Sequence, residues 1–187
     1  MSSILSTGST TPAFISNSLN ADGGLDIIGN DDVSNIIRIE DGSVGEAGGD
    51  FVAGGSLGDI IATSGGDDTV LAGAGDDFVA GGAGSDYILG GEGSDLIRGG
   101  KGADLVIGGE GTDIFDLQGD DFASGEIDLY LDFEAGVDIL RISGVSEAVT
   151  YDSNSGEVKV GDDTVASIGQ ELNLDVTQLD DDTYDLF

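Results

Sequence analysis

The stretch Gly81–Asp116, GGAGSDYILGGEGSDLIRGGKGADLVIGGEGTDIFD, decides the fold because it repeats one nine-residue phrase four times. In each copy, positions one, two and four are glycine, position six is aspartate and position eight is apolar. The phrase continues backwards from Gly81 in nine-residue steps, which gives eight in-frame copies over residues 45–116. The position-six residues are Asp50, Asp59, Asp68, Asp77, Asp86, Asp95, Asp104 and Asp113.

Each phrase predicts a tight turn followed by a short strand. Glycine tolerates positive φ, so the first six residues favour a turn. The three residues that follow, such as YIL or LVI, are β-formers. Strands separated by turns every nine residues can coil as two parallel sheets, with two phrases in each 18-residue rung. Position eight then faces inward, and the sequence therefore predicts an all-β fold, a parallel β-roll that is a two-sheet solenoid.

The composition excludes several classes of function. The chain has 38 acidic and 5 basic residues, with a formal net charge of -33, so nucleic acids and anionic membranes would be repelled. It has no cysteine and no histidine, which excludes disulfides, zinc fingers, catalytic thiols and Ser-His-Asp triads. No apolar run is long enough to predict membrane insertion, and residues 1–20 do not resemble a Sec signal peptide.

The aspartates of same-side turns come two phrases apart, so each lies one rung from the next. Rungs of a parallel sheet are about 4.7–4.9 Å apart, and a column of like charges at that spacing is unfavourable. Ca²⁺ takes oxygen ligands at about 2.3–2.6 Å, so an ion midway between two rungs can contact a carboxylate above and below. Mg²⁺ fits less well because it prefers a shorter octahedral shell. The alternative is that the aspartates only form turns and bind nothing.

The phrase resembles the nonapeptide repeat of the RTX, or haemolysin-type calcium-binding, family. The resemblance implies a β-roll with Ca²⁺ between its turns, about six ions in all. It implies that the position-six aspartates are ligands, with Asp67 and Asp76 as further candidates. Turn carbonyls would complete the sites, and the candidates are Gly82, Gly84, Gly91, Gly93, Gly100 and Gly102. Leu57, Thr63-Ser64 and Ala72 depart from the phrase and are expected to weaken specific sites.

The flanks predict three domains. Residues 1–44 form an N-terminal arm and degraded capping coils, with Ile27-Ile28 and Ile36-Ile37 nine residues apart. Residues 45–116 form the roll. Residues 117–187 form a cap whose alternating apolar residues predict antiparallel strands. In this region Asp128, Asp132 and Asp138 could bind another ion or lie on a solvated surface.

The final residues, Asp185-Leu186-Phe187, resemble the C-terminal signal of RTX proteins exported by ABC-type (type I) secretion machinery. An ordinary acidic tail is the alternative. The export interpretation places the protein outside the cell, secreted or associated with the cell surface.

Three functions are open at this point. The first is a non-enzymatic protein that folds on extracellular Ca²⁺ and has a structural or self-assembling role, as in a fibre, sheath, matrix or surface layer. The second is a monomeric calcium-binding interaction or buffer protein. The third is an RTX-linked hydrolase, but the chain has no histidine for an H-E-x-x-H motif or for a Ser-His-Asp triad. The outward positions seven and nine of alternate phrases form an apolar face. Its members would contact a second copy or the chain's own termini, and they include Phe51, Leu71, Tyr87, Leu89, Leu105 and Ile107.

Overall fold

The protein is described by a computed structural model, which covers residues 16–19, 25–29, 31, 34–39, 48–122, 125–169, 172 and 174–187. Within these ranges the chain forms strands and no helix. In chain order the first nine are β1 (Ser16–Leu19), β2 (Leu25–Ile28), β3 (Ile36–Arg38), β4 (Phe51–Gly55), β5 (Ile60–Ala62), β6 (Thr69–Ala74), β7 (Phe78–Ala83), β8 (Tyr87–Glu92) and β9 (Leu96–Lys101). The remainder are β10 (Leu105–Glu110), β11 (Ile114–Gln118), β12 (Asp128–Tyr130), β13 (Ile139–Ser143), β14 (Val149–Asp152), β15 (Glu157–Val160), β16 (Asp163–Ser167), β17 (Val176–Gln178) and β18 (Thr183–Leu186).

The strands form two sheets, and successive strands of the repeat alternate between them. Sheet A has the order β1-β2-β4-β6-β8-β10-β12-β16-β15-β14, and sheet B has the order β17-β18-β13-β11-β9-β7-β5-β3. The repeat strands pair in parallel within each sheet, which confirms the predicted β-roll. Partners are 18 residues apart, as Val70 and Ile88 are in sheet A and Val79 and Ile97 in sheet B.

The core of the roll is a line of position-eight side chains between the two sheets. These side chains are 0–1% exposed, and they are Val52, Ile61, Val70, Val79, Ile88, Ile97, Val106 and Phe115. Their inward orientation was predicted, because side chains alternate along a strand. Positions seven and nine lie on the outer surfaces.

The roll extends at both ends beyond the eight phrases. At the N-terminal side β2 pairs in parallel with β4, and β3 with β5, so the strands that contain Ile27 and Ile37 add to the two sheets of the roll. At the other side β12 pairs in parallel with β10, and β13 with β11. The predicted antiparallel pairing was wrong for these two strands, because longer turns return the chain to the same sheets. Of the predicted N-terminal arm, residues 1–15 lie outside the described residues, and Ser16–Leu19 form β1.

β1 pairs antiparallel with β2 at the N-terminal end of sheet A, and on the C-terminal side antiparallel pairing begins after β13. Strands β14, β15 and β16 form a meander at the end of sheet A, and β18 lies between β13 and β17 in sheet B. Arg141 on β13 holds Asp185 on β18 through two hydrogen bonds of 2.9 Å. In the part of the chain that the structure describes, no helix is long and apolar enough to cross a membrane.

Candidate metal sites in the turns

The position-six aspartates form two columns, one along each side of the roll. Column 1 consists of the turns that lead into sheet A, and column 2 of the turns that lead into sheet B. In each column the backbone N–H of one residue donates to Oδ1 of the next, at 2.6–3.0 Å. Column 1 contains Asp50, Asp68, Asp86, Asp104 and Asp128, and column 2 contains Asp59, Asp77, Asp95, Asp113 and Asp138.

The structure therefore brings all eight predicted position-six aspartates into the columns and adds Asp128 and Asp138. The two additions are recognisable in the sequence by the tetrad Asp-x-apolar-x, which occurs as DLYL and DILR. Sequence reasoning missed their place in the columns because the turns before them lack the glycine pattern. The N-terminal ends of the columns are Leu25 and Asn35, whose N–H groups donate to Asp50 and Asp59.

The carboxylates inside the columns are buried and resist ionisation. Asp77, Asp86, Asp104 and Asp113 are 1–3% exposed. Burial raises the pKa of Asp77 to about 7, that of Asp86 to about 8, and those of Asp104 and Asp113 to about 6. The backbone N–H bond to each carboxylate opposes this rise, and neighbouring carboxylates add to it. Without a counter-charge, the folded roll therefore keeps these carboxyls protonated to a higher pH than the unfolded chain does.

The second oxygen distinguishes inner from terminal aspartates. The Oδ2 atoms of Asp77, Asp86, Asp95 and Asp104 are buried and accept no hydrogen bond. Three terminal members differ, because a protein donor faces Oδ2. Gly55 N–H donates to Asp59 at 2.8 Å, Glu134 N–H to Asp138 at 2.8 Å, and the Tyr130 hydroxyl to Asp128 at 3.4 Å. A buried carboxylate oxygen without a donor is costly, so the inner positions fit a bound cation.

The position-one glycines leave room for oxygen atoms inside each turn. A Cβ on Gly81 would lie 2.3 Å from Oδ2 of Asp86 and 2.7 Å from the carbonyl oxygen of Gly99, one rung on. A Cβ on Gly90 would lie 2.3 Å from Oδ2 of Asp95 and 2.6 Å from the carbonyl oxygen of Gly108. A carboxylate and a carbonyl oxygen thus converge on the same interior space. Hard oxygen donors of this kind suit Ca²⁺.

The glycines at positions two and four, whose carbonyl oxygens are predicted metal ligands, lie in the same turns. All six have φ between 113° and 130°, which favours glycine, and they are Gly82, Gly84, Gly91, Gly93, Gly100 and Gly102. A Cβ on Gly102 would lie 1.9 Å from the carbonyl oxygen of Gly84, so consecutive turns stack too closely for a side chain. Their role as ligands stays a prediction.

Asp67 and Asp76 lie on the exposed rim of the turns, outside the buried columns. Oδ1 of Asp67 accepts the N–H of Ser85 at 2.8 Å, and Oδ1 of Asp76 accepts that of Ser94 at 2.9 Å. These bonds tie position five of one rung to the next, and they leave one oxygen of each carboxylate for other contacts. Asp132 is also separate from the columns, because its carboxylate accepts the N–H groups of Gly108 and Gly109.

No group of three acidic side chains in the described ranges gathers around one point as a metal site. A cation between two rungs would therefore contact two column aspartates and would take its other ligands from turn carbonyls. The stacked turns provide both kinds of ligand, carboxylate oxygens from the columns and carbonyl oxygens from the turns.

Comparison with known families agrees with this geometry. The family model of the RTX calcium-binding nonapeptide repeat (4 copies) matches residues 54–88 and again residues 89–121. The protein carries RTX calcium-binding repeats. The two matches contain Asp59 to Asp113, the central part of both columns. No curated protein matches the chain. RTX repeats bind Ca²⁺, so calcium is the cation that the unpaired aspartate oxygens fit.

Proposed function

We propose that this RTX protein is a secreted, non-enzymatic calcium-binding protein that folds when it meets Ca²⁺ outside the cell. The observation that carries the proposal is the set of buried Oδ2 atoms without donors at Asp77, Asp86, Asp95 and Asp104. Calcium supplies the positive charge that these carboxylates lack. Because the sites exist only when consecutive turns are stacked, binding energy is folding energy.

The position-six aspartates are the proposed side-chain ligands, and the turn glycines supply carbonyls. The unpaired oxygens support the inner rungs as the strongest sites. Asp59, Asp128 and Asp138 have protein donors on both oxygens, so each needs a cation less. We propose about six ions in all, one for each of the three gaps between the four position-six aspartates on each side of the roll.

The extracellular location follows from the calcium requirement. Extracellular calcium modules bind with Kd of about 10⁻⁴–10⁻³ M, a range in which cytosolic Ca²⁺ would leave the sites empty. The charged carboxylates within each column would then repel one another, and the chain would stay expanded and suited to export. RTX repeat proteins are typically secreted, and ABC-type secretion machinery is the proposed export partner.

The structural role is proposed from the outer surface of sheet A. Position nine forms an in-register ladder of Ala53, Leu71, Leu89 and Ile107, and position seven adds Phe51, Tyr87 and Leu105. This apolar face of sheet A stands out in a chain of net charge -33. A second copy offers the same uncharged face, so we propose self-association there. A monomeric interaction or buffer protein is the second candidate, and it requires that this face stay uncovered.

Circular dichroism with and without millimolar Ca²⁺ tests the folding proposal. We expect β-structure in calcium and an expanded chain in EDTA at neutral pH. Equal β-structure in both conditions contradicts coupled folding.

Sedimentation in saturating Ca²⁺ tests self-association. We expect concentration-dependent species larger than the monomer, and we expect Leu89→Thr to weaken them. Ile114→Thr, on the outer surface of sheet B, is the matched control. A strict monomer at high concentration favours the second candidate.

A further inference from the structure

Thr63 occupies position one of its phrase, where most copies have glycine. The glycines at this position in the described residues are Gly54, Gly81, Gly90, Gly99 and Gly108. Thr63 is 6% exposed and lies in column 1, in the turn that precedes Asp68. Its side chain therefore enters a space that the position-one glycines leave open in their own turns.

The glycine-containing turns show what that interior normally holds. A Cβ on Gly99 would lie 2.1 Å from Oδ2 of Asp104, and a Cβ on Gly108 would lie 2.2 Å from Oδ2 of Asp113. At Gly81 and Gly90 the position-one carbonyl of the next rung also approaches within 2.7 Å of this point. The space beside a position-one glycine is thus lined by oxygens that can accept a cation or a hydrogen-bond donor as a partner.

At Thr63 the chain provides such a partner itself. The Thr63 hydroxyl donates to the carbonyl oxygen of Gly81, which is the position-one carbonyl one rung on. This carbonyl is equivalent to those of Gly99 and Gly108, which face the interior of their turns. The hydroxyl hydrogen satisfies the oxygen, and the methyl group and Cβ fill volume that glycine leaves open.

We propose that Thr63 takes the place of a calcium ion between the turn 63–68 and the turn 81–86. This inference rests on the proposed function, that the stacked turns bind Ca²⁺. Column 1 is then interrupted at this pair of turns and carries calcium in the rungs that follow. The rung of Thr63 is joined to its neighbour by a protein hydrogen bond, and its stacking does not depend on calcium.

Native mass spectrometry in saturating Ca²⁺ tests the proposal by counting the ions bound to each variant. Thr63→Gly removes the hydroxyl and opens the turn, and we expect it to bind one ion more than the wild type. Thr63→Ser keeps the hydroxyl and the Cβ, and its count is expected to equal that of the wild type. Ser64→Gly is the matched control, because its hydroxyl donates to Ile39, outside this turn.

An unchanged or lower count in Thr63→Gly overturns the inference, and a lower count would make Thr63 a ligand. A crystal structure of the calcium-loaded wild type gives a second measurement that does not depend on any variant. We expect an ion between the turns of Asp86 and Asp104 and none between those of Asp68 and Asp86. An ion in the latter gap overturns the inference. A wild type that binds no calcium would instead contradict the proposed function.

Discussion

Each inner aspartate uses its two oxygens differently. Oδ1 of Asp86 accepts the N–H of Asp68 at 2.8 Å, which fixes the spacing of two rungs. Oδ2 has no donor and faces the interior of the turn. One oxygen therefore maintains the stack, and the other is left for the cation. The carboxylate is needed for charge rather than for the hydrogen bond.

Asp86→Asn separates these two roles. The side-chain carbonyl oxygen of asparagine can still accept the N–H of Asp68, but the negative charge is gone. Calcium affinity depends on the charge of the ligands, so the calcium midpoint of folding should rise by roughly tenfold. In EDTA the variant should be more folded than the wild type, because one buried charge is removed. Circular dichroism during calcium titration measures both effects.

Asp162→Asn is the matched control for this change. Asp162 is exposed in the turn between β15 and β16, away from both columns. The same loss of charge there should leave the calcium midpoint nearly unchanged. If both variants shift the midpoint equally, net charge explains the effect and the Asp86 site does not.

At the scale of strands, the nine-residue period predicted the turns, the parallel pairing and the inward position eight. It failed at β12 and β13, which were predicted to be antiparallel. Asp128 follows Asp113 by 15 residues and Asp138 follows Asp128 by 10, where a phrase has nine, and neither segment keeps the Gly-Gly-x-Gly pattern. Only the tetrads at Asp128 and Asp138 keep the pattern. The periodicity therefore disappears from the sequence before the roll ends.

The same limit applies to the candidate sites. The spacing identified the aspartates that share a column, because a strict period fixes which residues stack. It could not identify which carboxylates are satisfied by the protein. The donors to Asp59 and Asp138 are backbone N–H groups in their own turns, at Gly55 and Glu134. Their orientation depends on local backbone geometry that residue types do not specify.

The strand β18 is attached to the roll through a charged contact. Arg141 and Asp185 form a bidentate pair, and Leu186 beside it is fully buried. Arg141→Met leaves the carboxylate of Asp185 without its partner. We expect a local loss of about 1–2 kcal/mol, because the pair is well aligned but partly exposed. Hydrogen exchange at the amides of β18 should become roughly tenfold faster.

Two further variants make this prediction specific. Lys159→Met removes an exposed ion pair with Glu157 and should leave the exchange of β18 unchanged. Adding Asp185→Leu to Arg141→Met removes the unpaired carboxylate and should restore part of the protection. Unchanged exchange in Arg141→Met would show that β18 is held by its backbone bonds and Leu186 alone.

In the molecule as a whole, a thin apolar core stabilises the fold and a net charge of -33 opposes it. A single line of mostly Val and Ile between two sheets buries little apolar surface per rung, whereas every inner rung also buries a carboxylate on each side. We therefore expect folding at neutral pH to need a cation for the columns. Protons are the other species that can neutralise them.

We therefore expect the calcium-free protein to fold in acid. The pKa of Asp77 is raised to about 7, that of Asp86 to about 8, and those of Asp104 and Asp113 to about 6, from an ordinary value of 3.8. The folded state then binds more protons than the unfolded state between these values. The resulting stabilisation is complete below the unfolded pKa and is lost as the pH rises through about 6 to 8.

Circular dichroism in EDTA across this range measures the transition. β-structure should be present at about pH 4–5 and absent at about pH 8, since only protonated columns can stack without calcium. Added salt at pH 8 is the control, because it screens exposed charges but reaches buried carboxylates poorly. Salt should therefore restore little β-structure, and calcium should restore all of it. If salt alone restores the fold, repulsion between surface charges explains the pH effect and the buried columns do not.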